Sequence, residues 1–275
     1  MSAFFASPNV QTALLASAIV AALSAAIGYF VVLRGLSFAG HAVTDIGLTG
    51  GAGALLAGFD PLLGLIVFSV GAALAVGALG ERARERDLAT GLVLAFALGI
   101  GALFLHIQTK YANAQNALLF GSIFAIDPAV LGVVAIVGLL ALAALAIMFR
   151  PLLFASVSPD AARTAGVAVR GLGFAFLTVM AVAVAETAQI VGVLVSTALL
   201  VGPAATAIAI VRDPIRGIAV AIAIGVAEAW LAIALAYASY GWSQGGRSWP
   251  VSFFVAALAL GAFVASRAVR ERRRS

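Results

Sequence analysis

The sequence predicts an all-α fold, a polytopic bundle of transmembrane helices. Three observations carry that prediction. Of 275 residues, 64% are hydrophobic and only 10% are charged, and the mean hydropathy is +1.16, far above a soluble domain. Apolar runs recur along the chain, most of them near the ~20 residues a helix needs to span hydrocarbon. Those runs lack the period-2 alternation of barrel strands.

In chain order the apolar segments are 11–33, 39–58, 62–80, 88–107, 129–149, 171–185, 190–210, 217–239 and 250–268. The expectation is eight to ten spans, with nine the best count. Arg34 closes the first segment, and Arg82, Arg84 and Arg86 separate the third from the fourth. Arg150 closes the fifth, Arg163 and Arg170 precede the sixth, and Arg212 and Arg216 precede the eighth. The stretch 171–210 is one long apolar run interrupted by Ala185-Glu-Thr-Ala-Gln189. It reads as two tight spans, or as one span plus a re-entrant helix. With 29 glycines and abundant alanine, the helices are built for close approach, Gly47-Leu-Thr-Gly-Gly51 being one such ridge.

Charge sets the expected orientation. Fourteen of the sixteen Lys and Arg residues fall in one set of alternate loops and in the tail Arg267–Arg274, whereas Lys110 and Arg247 fall in the other set. The positive-inside rule then puts the N-terminus outside and the C-terminus in the cytoplasm, consistent with an odd number of spans. Residues 267–275 form a basic tail suited to anionic lipid headgroups. Because the cations lie in short loops, the net charge of +5 argues for a membrane orientation signal and not for nucleic acid. Met1–Pro8 has no basic stretch ahead of its apolar run, so no cleaved leader is expected.

Several chemistries are excluded. No cysteine is present, which removes disulfides and thiolate sites. A phosphate-binding loop needs Gly-Lys-Ser/Thr, and the one lysine, Lys110, follows Thr109. This chain cannot bind ATP by that route, so any pumping would draw its energy from an ion gradient or from another subunit. His41 and His106 are the only histidines, so no His-Glu-x-x-His metalloprotease site exists.

The remaining ionisable residues inside apolar segments are few. In Ser37-Phe-Ala-Gly-His-Ala-Val-Thr-Asp-Ile-Gly47, His41 and Asp45 stand four apart, on one helix face. Ionisable groups are costly in hydrocarbon, and imidazole with carboxylate is a ligand set for first-row divalent metals. From spacing alone the pair reads either as metal or proton handling, or as two groups satisfying each other at a helix contact. Glu228, in Gly225-Val-Ala-Glu-Ala-Trp230, is a weaker metal-pathway candidate, or a hydrogen-bonded structural acid. Glu186, Asp60 and Asp127 read as solvated acids at the outer surface, and His106 ends the fourth span there. Tyr240, Trp242 and Trp249 suit an interfacial aromatic belt.

Between the fifth and sixth spans, Ser158-Pro-Asp-Ala-Ala-Arg-Thr-Ala-Gly166 predicts a short surface helix of about two turns. Ser158 suits the N-cap, Pro159 suits N1, Asp160 the positive dipole end and Gly166 the stop. It reads as a capped loop helix or as a docking element for a cytoplasmic partner.

Five blocks in order then carry a resemblance. Gly28–Gly47 resembles the first block of the membrane permeases of metal-type ABC importers, the ABC-3 family of zinc, manganese and iron uptake systems. Arg86-Asp-Leu-Ala-Thr-Gly-Leu-Val93 is similar to that family's charged turn and following helix. Leu119-Phe-Gly-Ser-Ile-Phe124 is similar to its Leu-Phe-Gly-Asn block, and 158–166 to its cytoplasmic helix. Val191–Ala207, ending in Pro-Ala-Ala-Thr-Ala, resembles its most specific block. In the family the first block carries an acid and then, four residues on, a histidine; here His41 comes first and Asp45 second. Ser243–Pro250 lacks the family's small Ser-Gly-Ala element.

The resemblance implies a single permease domain over 1–275 in a bacterial cytoplasmic membrane, paired with a second copy of itself. It implies an ATP-binding subunit dimer docked through Ser158, Pro159, Asp160, Ala162, Arg163 and Gly166. An external solute-binding protein would deliver the metal, and no cofactor would be permanently bound. His41 and Asp45 would line the metal path, two ligands per subunit and four in a symmetric dimer. The other readings to be tested are a gradient-driven transporter using Asp45 and Glu228, and a non-transporting scaffold.

Overall fold

The computed structural model describes residues 7–79, 83–107, 128–242 and 248–272, with isolated positions between 119 and 126. Among them are ten helices: α1 (Pro8–Leu33), α2 (Ser37–Ala57), α3 (Pro61–Leu79), α4 (Ala83–Ile107), α5 (Pro128–Val157), α6 (Pro159–Thr164), α7 (Val169–Val191), α8 (Val193–Ile210), α9 (Pro214–Ser239) and α10 (Val251–Arg272). The nine long ones coincide with the nine apolar segments. Eight are long and apolar enough to cross a membrane; α2 is the exception, because His41, Asp45 and five glycines dilute its hydropathy.

The helices sort into a centre and a rim. α1, α7 and α8 lie inside: α1 packs against α5, α7, α8 and α9, and α7 against α1, α2, α3, α5 and α8. Phe30, Phe176, Leu23 and Met180 fill one apolar core between these helices. Val20, Ile190, Leu199 and Ile233 fill a second. A buried hydrogen bond of 2.7 Å joins Ser24 on α1 to Thr187 on α7. The rim helices turn large apolar side chains outward, including Leu88, Leu92 and Phe96 on α4 and Leu139, Leu140 and Ile147 on α5. In water such surfaces would be an aggregation liability. Facing lipid they meet hydrocarbon as apolar as themselves, while the backbone between the helix ends is hydrogen-bonded within each helix.

Glycine sets the closest approach. A Cβ at Gly50 of α2 would overlap the Gly64 carbonyl of α3 and the Phe68 ring. The ridge predicted at 47–51 therefore seats α2 on α3, by the small-residue packing common in lipid.

Three sequence expectations change. The fifth span was expected to end at 149, but α5 continues through Arg150 and Pro151 to Val157. At 1.5 Å per residue its 30 residues reach about 45 Å, beyond a hydrocarbon core of about 30 Å. Hydropathy marks the apolar stretch of a helix, not its end. The break expected at Ala185–Gln189 lies instead at Gly192, which adopts φ 92°, ψ 153°, a conformation that glycine reaches without strain. Two full helices, α7 and α8, meet there. Finally, α6 has six residues, shorter than the two turns expected.

Candidate metal-pathway site

α2 starts deep in the bundle. Its first turn brings Gly40 beside Leu200, in the middle of α8, and beside Met180, in the middle of α7. The turn before it is held by Arg34, whose guanidinium lies 5.4 Å from the Phe176 ring centroid. His41 follows Gly40 directly and reaches Thr197 in the second turn of α8, with Asp45 one turn further along α2.

The pair is formed as its spacing predicts: His41 Nε2 lies 3.4 Å from Asp45 Oδ2. Two ligands each about 2.1 Å from one ion stand about 3.0–3.4 Å apart across octahedral to tetrahedral angles. The pair thus already has the bite of a chelate. Its neighbours on α2 are occupied elsewhere. Thr44 donates to Gly40 O at 2.9 Å, Thr49 to Ala97 O at 3.0 Å, and Ser69 of α3 to Val43 O at 3.2 Å. The two side chains themselves stay accessible, His41 at 49% and Asp45 at 22% exposure.

Thr197 on α8 completes the site, with its Oγ1 3.1 Å from His41 Nδ1. If the hydroxyl donates to Nδ1, Nε2 carries hydrogen toward Asp45. If Nδ1–H donates to Thr197, Nε2 offers a lone pair beside the carboxylate, the arrangement a cation needs. Thr197 was missed at the sequence level. The signal was present, since Ser196-Thr197 is a hydroxyl pair in an otherwise aliphatic run.

Glu228 is not brought to this pair. Among the described residues no three His, Cys, Asp or Glu side chains gather in one group. Glu228 is 5% exposed, and neither carboxylate oxygen has a hydrogen-bond partner. It sits one turn beyond Gly225, which packs on Ala21 and Ala25 of α1 and on Pro203 of α8. The hydrogen-bonded structural acid is thus not what the structure contains either.

Glu186 is the larger correction. Expected in solvent, it is 2% exposed within α7, because the helix runs five residues past it, to Val191. Asp60 is exposed at the head of α3 and caps it, accepting from Leu62 N at 2.7 Å. His106 is exposed near the end of α4. Asp127, Lys110 and Arg247 lie outside the described residues.

At α6, Ser158 occupies the N-cap position without a side-chain cap bond, its carbonyl accepting from Ala162 N at 3.0 Å. Pro159 stands in the first turn, and Asp160 pairs with Arg163 at 3.3 Å in full view of solvent. Ala162 is wholly buried, where α6 rests on α5 and α7. Gly166, at φ 84°, ends the helix with its N–H donating to Arg163 O, a stop that favours glycine.

The model of the ABC 3 transport family matches residues 6–264. This chain belongs to the ABC 3 transport family. Among ABC 3 relatives, a manganese transport system membrane protein of Listeria innocua is 27% identical over 229 residues, 83% of this chain and 81% of its own length. A probable iron transport system membrane protein of Haemophilus influenzae is 30% identical over 231 residues, covering 83% of this chain and 84% of that protein. The fold of this ABC 3 protein matches PsaBC from Streptococcus pneumoniae, solved in complex with a Fab, at TM-score 0.80 and 26% identity over 96% of this chain and 93% of that one. It is a multi-pass membrane protein.

Proposed function

We propose that this chain is the permease subunit of an ABC importer that carries a divalent transition-metal ion, zinc, manganese or iron, into the cytoplasm. The observation that carries the reading is the His41–Asp45 pair, half-open to its surroundings in a bundle whose outer surface is apolar. An ionisable pair is too costly to turn toward lipid. A water-filled path or a second copy of the chain must face it, and a symmetric second copy supplies two more ligands. Four nitrogen and oxygen ligands suit these metals. The reversed order, histidine before acid, preserves the shared face because four residues separate the two in either order.

The rest of the machine follows from the same reading. Ser158, Pro159, Asp160, Ala162, Arg163 and Gly166 form the seat for the cytoplasmic ATP-binding subunit dimer, which hydrolyses ATP in place of this chain. An external metal-binding protein delivers the ion at the opposite end. The N-terminus is outside and the basic C-terminal tail lies at the anionic cytoplasmic leaflet. The relatives' names, covering manganese and iron systems, support the substrate class.

The test is uptake of zinc, manganese and iron by the assembled transporter in proteoliposomes. Wild type should take up metal only with ATP and the partner ATPase. His41→Ala with Asp45→Ala should abolish uptake while the complex elutes at its normal size. Normal uptake by that double variant overturns the assigned path. The buried Glu228 favours the second reading, a gradient-driven carrier. Uptake by this chain alone that collapses with an uncoupler would select it.

A further inference from the structure

α5 carries apolar side chains past the level where hydrocarbon ends. From Pro128 to Phe149 it already covers about 33 Å, enough for a core of about 30 Å. Arg150 follows, exposed, and its charge belongs at headgroup level or beyond. The helix then continues for two more turns, Arg150-Pro-Leu-Leu-Phe-Ala-Ser-Val157. Their inner face is packed: Leu152 and Ala155 are buried, and Leu152 joins the core around Phe176. Their outer face is not. Phe154 is 41% exposed and Val157 73%, three residues apart and so side by side on the helix. Both lie beyond Arg150, Val157 by about 10 Å along the axis.

These two side chains are joined to α6 without a break. Ser158 N donates to Phe154 O at 3.0 Å, and Ser158 O accepts from Ala162 N at 3.0 Å. Val167 N closes the far side on Ala162 O at 2.9 Å. The end of α5 and the whole of α6 thus form one rigid corner. Area says what covers it. A specific, stable interface takes about 20–30 residues and about 800 Å² from each partner. α6 has six residues, about 9 Å of helix, too little to hold a partner alone. The adjoining surface supplies what α6 lacks. Interfaces have an apolar centre, with aromatic anchors, inside a polar rim. Phe154 and Val157 are the centre, and the exposed Asp160–Arg163 pair is the rim.

We propose that the last two turns of α5 are part of the seat for the cytoplasmic ATP-binding subunit, with Phe154 and Val157 inserted into an apolar cleft of that partner beside α6. The proposal rests on the permease reading above, in which the same subunit docks on α6. It adds a mechanical route. α5 is a single helix from Pro128 to Val157 and packs against α1 and α7. Its Phe149 ring meets Phe30 of α1 at 5.8 Å. Movement of the partner against Phe154 therefore passes directly into the central helices, without relying on the short α6.

The absence of cysteine makes the test direct, because every introduced thiol is unique. Phe154→Cys, Val157→Cys, Arg163→Cys and Ile147→Cys are labelled with a membrane-impermeant maleimide in inverted vesicles, with and without the ATP-binding subunit. Phe154→Cys and Val157→Cys should label in the permease alone and lose that labelling in the assembled complex. Ile147→Cys, on the same face but within the hydrocarbon, should stay unlabelled in both. Failure of Phe154→Cys and Val157→Cys to label in the permease alone places them in lipid and overturns the proposal. Equal labelling with and without the partner, while Arg163→Cys is protected, also overturns it and leaves the α6 seat standing. Loss of protection at Arg163→Cys as well defeats the permease reading itself, and this proposal with it. In a second measurement Phe154→Ala should raise the Kd for the ATP-binding subunit about 30-fold, as truncation of a buried aromatic anchor does. An unchanged Kd refutes the anchor. Should Phe154→Cys fail to assemble, Val157→Cys decides by the same two outcomes.

Discussion

α2 and α7 each place a carboxylate in the apolar bundle, in opposite ways. On α2, Asp45 is partly open and has a histidine 3.4 Å away, itself braced by Thr197. On α7, Glu186 is closed in by valines and leucine with no hydrogen bond to either oxygen. The difference teaches what each can do. An accessible pair with a weak neighbour can take up and release an ion, as a transport path requires. A sealed acid has no open route by which an ion could come and go. Accessibility, more than the presence of an acid, separates the two roles.

The largest effect should come from the open site. His41→Ala with Asp45→Ala should remove metal uptake while leaving the unfolding midpoint near wild type, because both side chains are partly exposed. A large loss of stability instead would give α2 a structural pair and erase the contrast. Next, Thr197→Val keeps shape but removes the hydroxyl bonded to Nδ1. Partners of this kind typically govern about 10–100-fold in metal affinity, so the concentration for half-maximal uptake should rise by about that factor. An unchanged value means that another group orients His41.

Third, Gly50→Val should push α2 off α3, since even a Cβ there overlaps Gly64 and Phe68. Overpacking of this kind costs about 1–3 kcal/mol, read as a lower midpoint, with uptake falling in step because α2 carries the pair. Fourth, Glu228→Gln removes a buried, unpartnered carboxylate. Uptake should persist, and the midpoint should hold or rise, since buried charges seldom add stability. Lost uptake would move Glu228 into the path. The smallest effect belongs to Asp160→Asn. Its ion pair with Arg163 is solvent-exposed on both sides, so the midpoint should not move, and only association with the ATPase should weaken. An unchanged association would leave Ala162 and the backbone of α6 as the docking surface.

Much of this was legible in the sequence. The nine apolar segments became nine long helices because hydrocarbon thickness imposes a length that composition records directly. The His41–Asp45 contact was legible because a helix fixes the geometry of residues four apart. Gly50 could be read as a packing ridge, although its partner Gly64 could not. Glu186 was misread for a physical reason. A polar cluster in an apolar run looks like a loop, yet the chain bends six residues later, where Gly192 alone can take a positive φ. Arg150 likewise looked like a span's end, but a helix leaving the membrane need not stop.

The sequence by itself determined the class, the nine long helices among the described residues, the family and the His41–Asp45 contact, since each rests on local periodicity, spacing or motif. Only the tertiary structure decided that α2 starts deep between α7 and α8, that Thr197 reaches His41 across 156 residues of chain, and that Glu186 is enclosed. Those facts depend on which helices lie side by side. Between helices that are apolar on nearly every face, the choice falls to backbone approach at small residues and to a few hydroxyl contacts, which no single-helix pattern contains.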